Sequence, residues 1–209
     1  MFYKQNDYMV TLSILGSHNS LSYLHVKKWW QKLATPWARC QRKTLKEQFD
    51  SGVRLFDIRL RFDKDGKAIF CHNMIEFDIS ESEFEKELAA LCSRSEVFVR
   101  FVLDIRHKPK DAEFQKDCFF NYVKSIKRRI DFSVNNVLVF WEKKDYVNYL
   151  FDVGIIYSLC GSYSSISETF YRYLPPRMFA KIYNRQLKML PLYSYGWECL
   201  FVDYIDLLL

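Results

Sequence analysis

Residues 51–73 read SGVRLFDIRLRFDKDGKAIFCHN. The stretch predicts strand, turn, strand. Val53, Leu55, Ile58, Leu60 and Phe62 supply the apolar content of the first run, and Ala68, Ile69, Phe70 and Cys71 that of the second. Asp65-Gly66 between them is a tight-turn signal, because short hairpin turns take residues that tolerate positive φ. Asp57, Arg59 and Arg61 occupy positions of one parity, so they point to the same face. Consecutive like-facing charges within an apolar strand are not ordinary surface patterning and mark that face as a candidate site. The second run ends in His72.

On the N-terminal side, Met9 to Leu15 predicts a first strand. Gly16 is expected to break it, with Ser17-His18-Asn19-Ser20 following as a polar loop. Residues 21–43 interleave Trp29, Trp30 and Trp37 with Lys27, Lys28, Lys32, Arg39, Arg42 and Lys43, and Pro36 interrupts them. Thr44 to Phe49 predicts the end of a helix closed by Ser51-Gly52.

On the C-terminal side, Ile79 to Glu83 predicts a helix start with acids in its first turn. Phe84, Leu88, Leu91 and Cys92 form its apolar stripe. Val97 to Ile105 predicts a buried strand. Asp111 to Asp131 predicts an amphipathic helix with Phe114, Phe119, Val123 and Ile126 inward. Strands are expected at 137–141, 152–160 and 199–205, and a helix from Pro175-Pro176 through Leu187. Strands alternating with helices argue a parallel sheet or barrel. The fold class expected is α/β, a distorted or incomplete (β/α) TIM-type barrel. Polar residues gather just after strands: His18, His72, Asp104 with Arg106, Glu142 and Asp203. In such barrels the C-terminal strand ends form the catalytic rim.

The chain of 209 residues fits one domain spanning 1–209. Its 49% hydrophobic and 18% aromatic content suffices for a core and argues against disorder. A net charge of +6 fits an anionic substrate or surface and is too weak to argue nucleic acid. No apolar run has transmembrane length, and the N-terminus lacks the pattern of a signal peptide. The six cysteines show no CxxC, so buried thiols are expected rather than a disulfide framework or a zinc site. Cys71 reads as packing rather than as a nucleophile. The expectation is a cytoplasmic monomer, peripheral at membranes, or a secreted protein if a leader has been removed.

Two histidines near strand ends, an arginine and several carboxylates suit the splitting of a phosphodiester by in-line attack of a hydroxyl. The reaction needs a base, an acid and a cation against the phosphate oxygens. Histidine titrates near neutrality and suits both proton transfers. Arginine offers a permanent charge on a planar fork and makes a metal unnecessary.

LSILGSHNSLSYL, then QFDSGVRLFDIRLR, then IFCHN resembles the X region of phosphatidylinositol-specific phospholipase C. The family pattern is a G-[ST]-H-[DN]-S loop after a strand, a G-[IV]-R-x-[FL]-D-[IL]-R strand, and a strand ending in H-[GN]. The likeness covers mainly residues 10 to 75 and is topological beyond. The calcium-dependent branch carries an acid-x-acid pair in the second motif, whereas the bacterial type has arginine at the second position. Asp57 and Arg59 resemble the bacterial, metal-independent type, which disfavours calcium. Asn19 departs from the Asp usual there and matches the calcium-dependent branch, so the group that orients the second histidine stays open.

The resemblance implies His18 as general base on the inositol 2-hydroxyl and His72 as general acid on the diacylglycerol oxygen. It implies Arg59 on the phosphate charge, Asp203 paired with His18, and Asp57 and Asn19 supporting Arg59 and His72. The products implied are a cyclic inositol phosphate and diacylglycerol. It also places interfacial tryptophans, Trp29 and Trp30, on a rim helix facing an anionic membrane surface. Those two rings have core packing as their alternative. Asp104 and Arg106 either pair with each other or recognise substrate hydroxyls. Glu142 and Tyr163 are further candidates for substrate contact. Arg61 either reaches the site or turns to solvent or Asp63. Two competing functions remain: a metal-dependent glycerophosphodiester phosphodiesterase, which Arg59 in a ligand position disfavours, and a catalytically degenerate domain binding lipid headgroups or a protein.

Overall fold

The computed structural model describes residues 3–5, 8–12, 14–105, 110–131, 133–140, 147–149, 159–160, 177–178, 180, 193–194, 199–202 and 206. Its strands are β1 (Tyr3–Gln5), β2 (Tyr8–Leu12), β3 (Ile14–Ser17), β4 (Leu55–Phe62), β5 (Ala68–His72), β6 (Ile75–Glu76) and β7 (Phe98–Asp104). They continue as β8 (Ser133–Phe140), β9 (Val147–Tyr149), β10 (Leu159–Cys160), β11 (Tyr193–Ser194) and β12 (Cys199–Val202). The helices are α1 (Thr35–Ala38), α2 (Leu45–Asp50), α3 (Glu81–Cys92) and α4 (Ala112–Arg129), with a 3-10 turn at Trp29–Ala34.

The main sheet runs in the order β10-β12-β3-β4-β7-β8-β9. Every pair from β10 to β8 is parallel, and β9 joins β8 antiparallel at the edge. Helices α3 and α4 connect parallel strands, as the alternating pattern predicts. Among the described residues this mixed α/β sheet does not close. Its edges are β9 and β10, and the hydrogen bonds join no strand pair across them.

β4 is the hub of this sheet. Phe56, Ile58, Leu60 and Phe62 are buried, and the helical layer covers them. From α3 and α4, Phe84, Leu88, Leu91, Phe119, Val123 and Ile126 pack into the same core. The Phe70 and Phe84 rings lie 4.7 Å apart, and Phe84 meets Phe101 edge-on at 6.4 Å, distances at which tilted aromatic pairs attract. Phe114 is a correction: it is exposed, because the buried face of α4 follows Gln115, Phe119, Tyr122 and Ile126. Gln115 contributes in a different way, donating to the Phe62 carbonyl and accepting from its N–H, so a side chain replaces a missing strand partner.

The hairpin between β4 and β5 forms as read, with Gly66 at φ +77 and the Asp63 N–H donating to the Lys67 carbonyl. Gly16 does not break its strand. It pairs with Phe201 on one side and Leu55 on the other, so β3 reaches Ser17. The predicted helix end at Thr44–Phe49 is a short helix of its own. Thr44 accepts from the Glu47 N–H while Glu47 reaches back to the Thr44 N–H, a reciprocal cap. Ser80 and Glu83 start α3 in the same way, as expected.

The parallel registers bring the chemistry to one end. Ser17 pairs with Val202 and with Phe56, Asp57 with Arg100, and Asp104 with Phe140. Ser17, the central residues of β4, Asp104, Phe140 and Val202, with the His18 turn that follows β3, therefore share the carboxyl rim.

Candidate active site

Arg59 stands at the centre of that rim. Its Nη2 donates to His18 Nε2 at 2.7 Å and its Nε donates to Asp57 Oδ2 at 3.0 Å. Its Nη1 lies 4.0 Å from Asp104 Oδ2. A guanidinium has only donors, so His18 Nε2 is the acceptor and the His18 proton sits on Nδ1. His72 faces His18 edge-on with ring centroids 5.9 Å apart. Its Nδ1 donates to the Ala38 carbonyl at 2.9 Å, leaving the lone pair on Nε2.

One local device serves both histidines. Each is followed by an asparagine in the left-handed region, Asn19 at φ 45 and Asn73 at φ 55. Asparagine tolerates that conformation better than most residues. The sharp turn aims each asparagine N–H back into the rim. The Asn19 N–H donates to Asp57 Oδ2 at 3.0 Å, and the Asn73 N–H donates to Asp104 Oδ2 at 2.8 Å. The two carboxylates that flank Arg59 thus also anchor the two histidine turns.

Asp57 is fully buried, with Arg100 Nε 3.6 Å from its Oδ1 as a second cation. Burial pushes its carboxyl up, but Arg59, Arg100, His18 and the Asn19 N–H more than reverse this and hold it well below the usual carboxylate range. For Arg59, burial works against the charged form, and Asp57 with Asp104 overcomes it. The His72 imidazole is pushed down to about 4 by burial and then by Arg59 and His18, with Asp104 opposing. His72 is therefore neutral at pH 7 in the resting site.

The predicted site residues divide into two groups. His18, Asn19, Asp57, Arg59, His72 and Asp104 come together. Asp203, Arg106, Glu142 and Tyr163 lie outside the described residues. Asn19 acts on Asp57 through its backbone, and the group that orients His72 is the Ala38 carbonyl. Asp104 braces Arg59 and the Asn73 turn. Arg61 turns away to Glu76 Oε1 at 2.6 Å and the Asn73 carbonyl at 2.8 Å. Cys71 is fully buried and its thiol is pushed far up by that burial, as packing requires. Sequence reasoning missed Arg100, Ala38 and Gln41, whose side chain donates to the His18 carbonyl at 3.2 Å. Arg100 was findable as the lone charge in the middle of an apolar strand run. Ala38 acts through its backbone and carries no signal.

Trp29 and Trp30 are exposed at 80% and 49%, so core packing is not their role. Leu33, Trp37 and Met74 are exposed beside them in sequence or structure. Gln31 fixes this turn against the β5–β6 hairpin that follows His72, donating to the Met74 carbonyl and accepting from the Glu76 N–H. Lys28 adds an ion pair to Glu76 at 2.7 Å.

Calcium fits this site poorly. It takes several oxygen ligands, and the Asp57 oxygen facing the rim already accepts from Asn19 and Arg59. Among the described residues, the grouping with ligand spacing is His18, Cys40 and His72.

No family model matches the chain, and no curated protein matches it in sequence. Solved structures do. The chain is similar to phosphatidylinositol-specific phospholipase C from Listeria monocytogenes at 16% identity and a TM-score of 0.56, covering 94% of this chain and 90% of that one. It is similar to a Staphylococcus aureus phosphatidylinositol-specific phospholipase C studied for modulation of membrane binding, at 14% identity and TM-score 0.55, covering 91% and 85%. A point variant of the S. aureus enzyme matches at 15% and 0.52, covering 91% and 84%. Another S. aureus pairing spans only 47% of the relative's length. The chain thus shares the fold of the bacterial phosphatidylinositol-specific phospholipases C.

Proposed function

We propose that the chain is a phosphodiesterase that cleaves phosphatidylinositol, or a related inositol phosphodiester, by intramolecular attack of the 2-hydroxyl. The observation that carries this reading is Arg59 placed 2.7 Å from His18 Nε2, with the His72 ring 5.9 Å from that of His18. A base, an acid and a fixed cation thereby share one rim.

The phosphate oxygens replace His18 as partner of Arg59 Nη2. His18 Nε2 then has its lone pair for the 2-hydroxyl proton, and Asp203 is the candidate carboxylate partner of this histidine. The oxygen attacks phosphorus, Arg59 takes up the charge that develops, and His72 Nε2–H protonates the departing diacylglycerol oxygen. The products are the cyclic phosphodiester and the alcohol. His72 needs a proton it lacks in the resting site. The anionic phosphodiester favours that proton, because burial holds the imidazole down first and Arg59 second, and the phosphate charge offsets the Arg59 share. Asp104, Arg106, Glu142 and Tyr163 are the candidates for contact with the inositol hydroxyls.

The Trp29–Ala34 turn gives the same site a surface. Trp29, Trp30, Leu33 and Trp37 are exposed among Lys27, Lys28 and Lys32, a mixture that suits the headgroup layer of an anionic membrane. No helix among the described residues is long and apolar enough to cross a membrane.

Turnover of phosphatidylinositol vesicles with and without EDTA tests the reading. Equal activity in both supports the arginine mechanism. Activity abolished by EDTA favours the glycerophosphodiesterase-type alternative, and no turnover under any condition favours a degenerate binding domain.

A further inference from the structure

Cys40 is the residue of this rim that the phosphodiester reaction does not use. It is buried at 1% exposure, in the connection between α1 and α2. Two hydrogen bonds hold that connection in place, since the N–H groups of Cys40 and Gln41 both donate to the buried Ser22 hydroxyl at 3.0 and 2.9 Å. Ligand atoms from Cys40, His18 and His72 all lie within 4.8 Å of one another. Three elements far apart in sequence thus converge a thiol and two imidazoles. We propose that His18, Cys40 and His72 form a His2Cys site for a thiophilic divalent cation of the zinc class, whose occupancy blocks both proton-transfer groups.

The donor set selects the class of ion. One thiolate and two imidazoles suit zinc, and hard cations such as calcium and magnesium prefer oxygen. Zinc–sulfur and zinc–nitrogen bonds of about 2.3 and 2.0 Å place tetrahedral ligand atoms roughly 3.5 Å apart, so the three side chains need to close by about 1 Å. His72 is already set as a ligand: its Nδ1–H on the Ala38 carbonyl fixes the tautomer and presents Nε2, the outer-shell pattern common to metal-binding histidines. Three protein ligands leave a fourth position for water or an anion. Charges of both signs surround the site. Arg59 and Arg100 oppose a cation, while Asp57, Asp104 and the new thiolate favour it. Binding releases the Cys40 thiol proton to solvent and forms the sulfur–metal bond. If the metal takes His18 Nε2, Arg59 gives up that contact and keeps its bond to Asp57.

Binding itself does not depend on the phosphodiesterase reading; inhibition does. Cobalt(II) added to the full reduced chain is the probe. One equivalent is expected to raise a thiolate-to-metal charge-transfer band that zinc abolishes, and Cys40→Ser is expected to lose it with its far-UV dichroism intact. X-ray absorption at the zinc edge of the unmutated chain gives a second readout, with one sulfur and two nitrogen ligands expected. On phosphatidylinositol, the ratio of EDTA-treated to zinc-loaded activity should exceed about 10 for the unmutated chain and fall to near 1 in Cys40→Ser. No band in the unmutated chain, a band unchanged in Cys40→Ser, or full turnover with zinc bound would overturn the proposal. A metal that binds as described to a chain inactive even in EDTA upholds the site and sinks the phosphodiesterase reading.

Discussion

Arg59 touches His18 and Asp57, approaches Asp104, and adds to burial in holding the His72 imidazole down. Lysine at this position keeps the charge and loses the fork. Arg59→Lys should therefore lower kcat by about 10²-fold or more, with the fold retained. A variant with near-normal kcat would remove Arg59 from the centre of the mechanism. His72 gives a pH test. Its ring should titrate near 4 in the resting protein, and an inositol phosphate should shift that titration upward by partly cancelling the Arg59 charge. Histidine proton NMR with and without the ligand reads both values, and an unmoved titration contradicts the proposed proton supply. Asp104 distinguishes positioning from recognition. Because it accepts from Asn73 and braces Arg59, Asp104→Asn should lower kcat more than it raises KM. A rise in KM alone would assign it to substrate hydroxyls. The residue types His18, Asp57, Arg59 and His72 were legible in the sequence because parity and strand-end position fix where side chains point. The partners were not. Ala38 works through a carbonyl, and the asparagine N–H donors depend on backbone turns that no side-chain pattern encodes.

At the scale of elements, the hairpin and both capped helices follow from local chemistry. Turn residues and reciprocal caps satisfy backbone groups within a few positions, so the sequence reports them directly. Thr44→Ala removes one such cap and should cost about 1 kcal/mol in urea unfolding. Phe114 and Gly16 show where local pattern fails. The buried face of α4 is chosen by the sheet beneath it, and Gly16 is held in β3 by β4 on one side and β12 on the other. The tryptophan turn is intermediate. Its composition was informative, and its exposure decides between the core and surface readings. Trp29→Ala with Trp30→Ala should weaken partition onto anionic vesicles several-fold and leave activity on a water-soluble inositol phosphodiester intact. Equal losses on both substrates would make the turn structural.

For the whole molecule, parallel registers gather residues from positions 18 to 104 at one carboxyl rim, as a β/α architecture requires. That gathering has a stability cost. His72 is neutral when folded and takes up a proton more readily when unfolded. The unfolded state therefore binds more protons between about pH 4 and 6.5, and stability rises with pH across that window. Asp57 acts lower, its contribution present above the ordinary carboxylate pKa and lost as pH falls further. A His72→Asn chain should show a flatter stability profile between pH 4 and 6.5.

The central claim is that a substrate hydroxyl attacks phosphorus while Arg59 stands where a metal would. Phosphorus NMR of phosphatidylinositol vesicles incubated with the chain tests it most directly. The account predicts a cyclic inositol phosphodiester as first product, formed equally with EDTA and absent with His18→Ala. A linear inositol monophosphate as first product, or a reaction that EDTA abolishes, would contradict it.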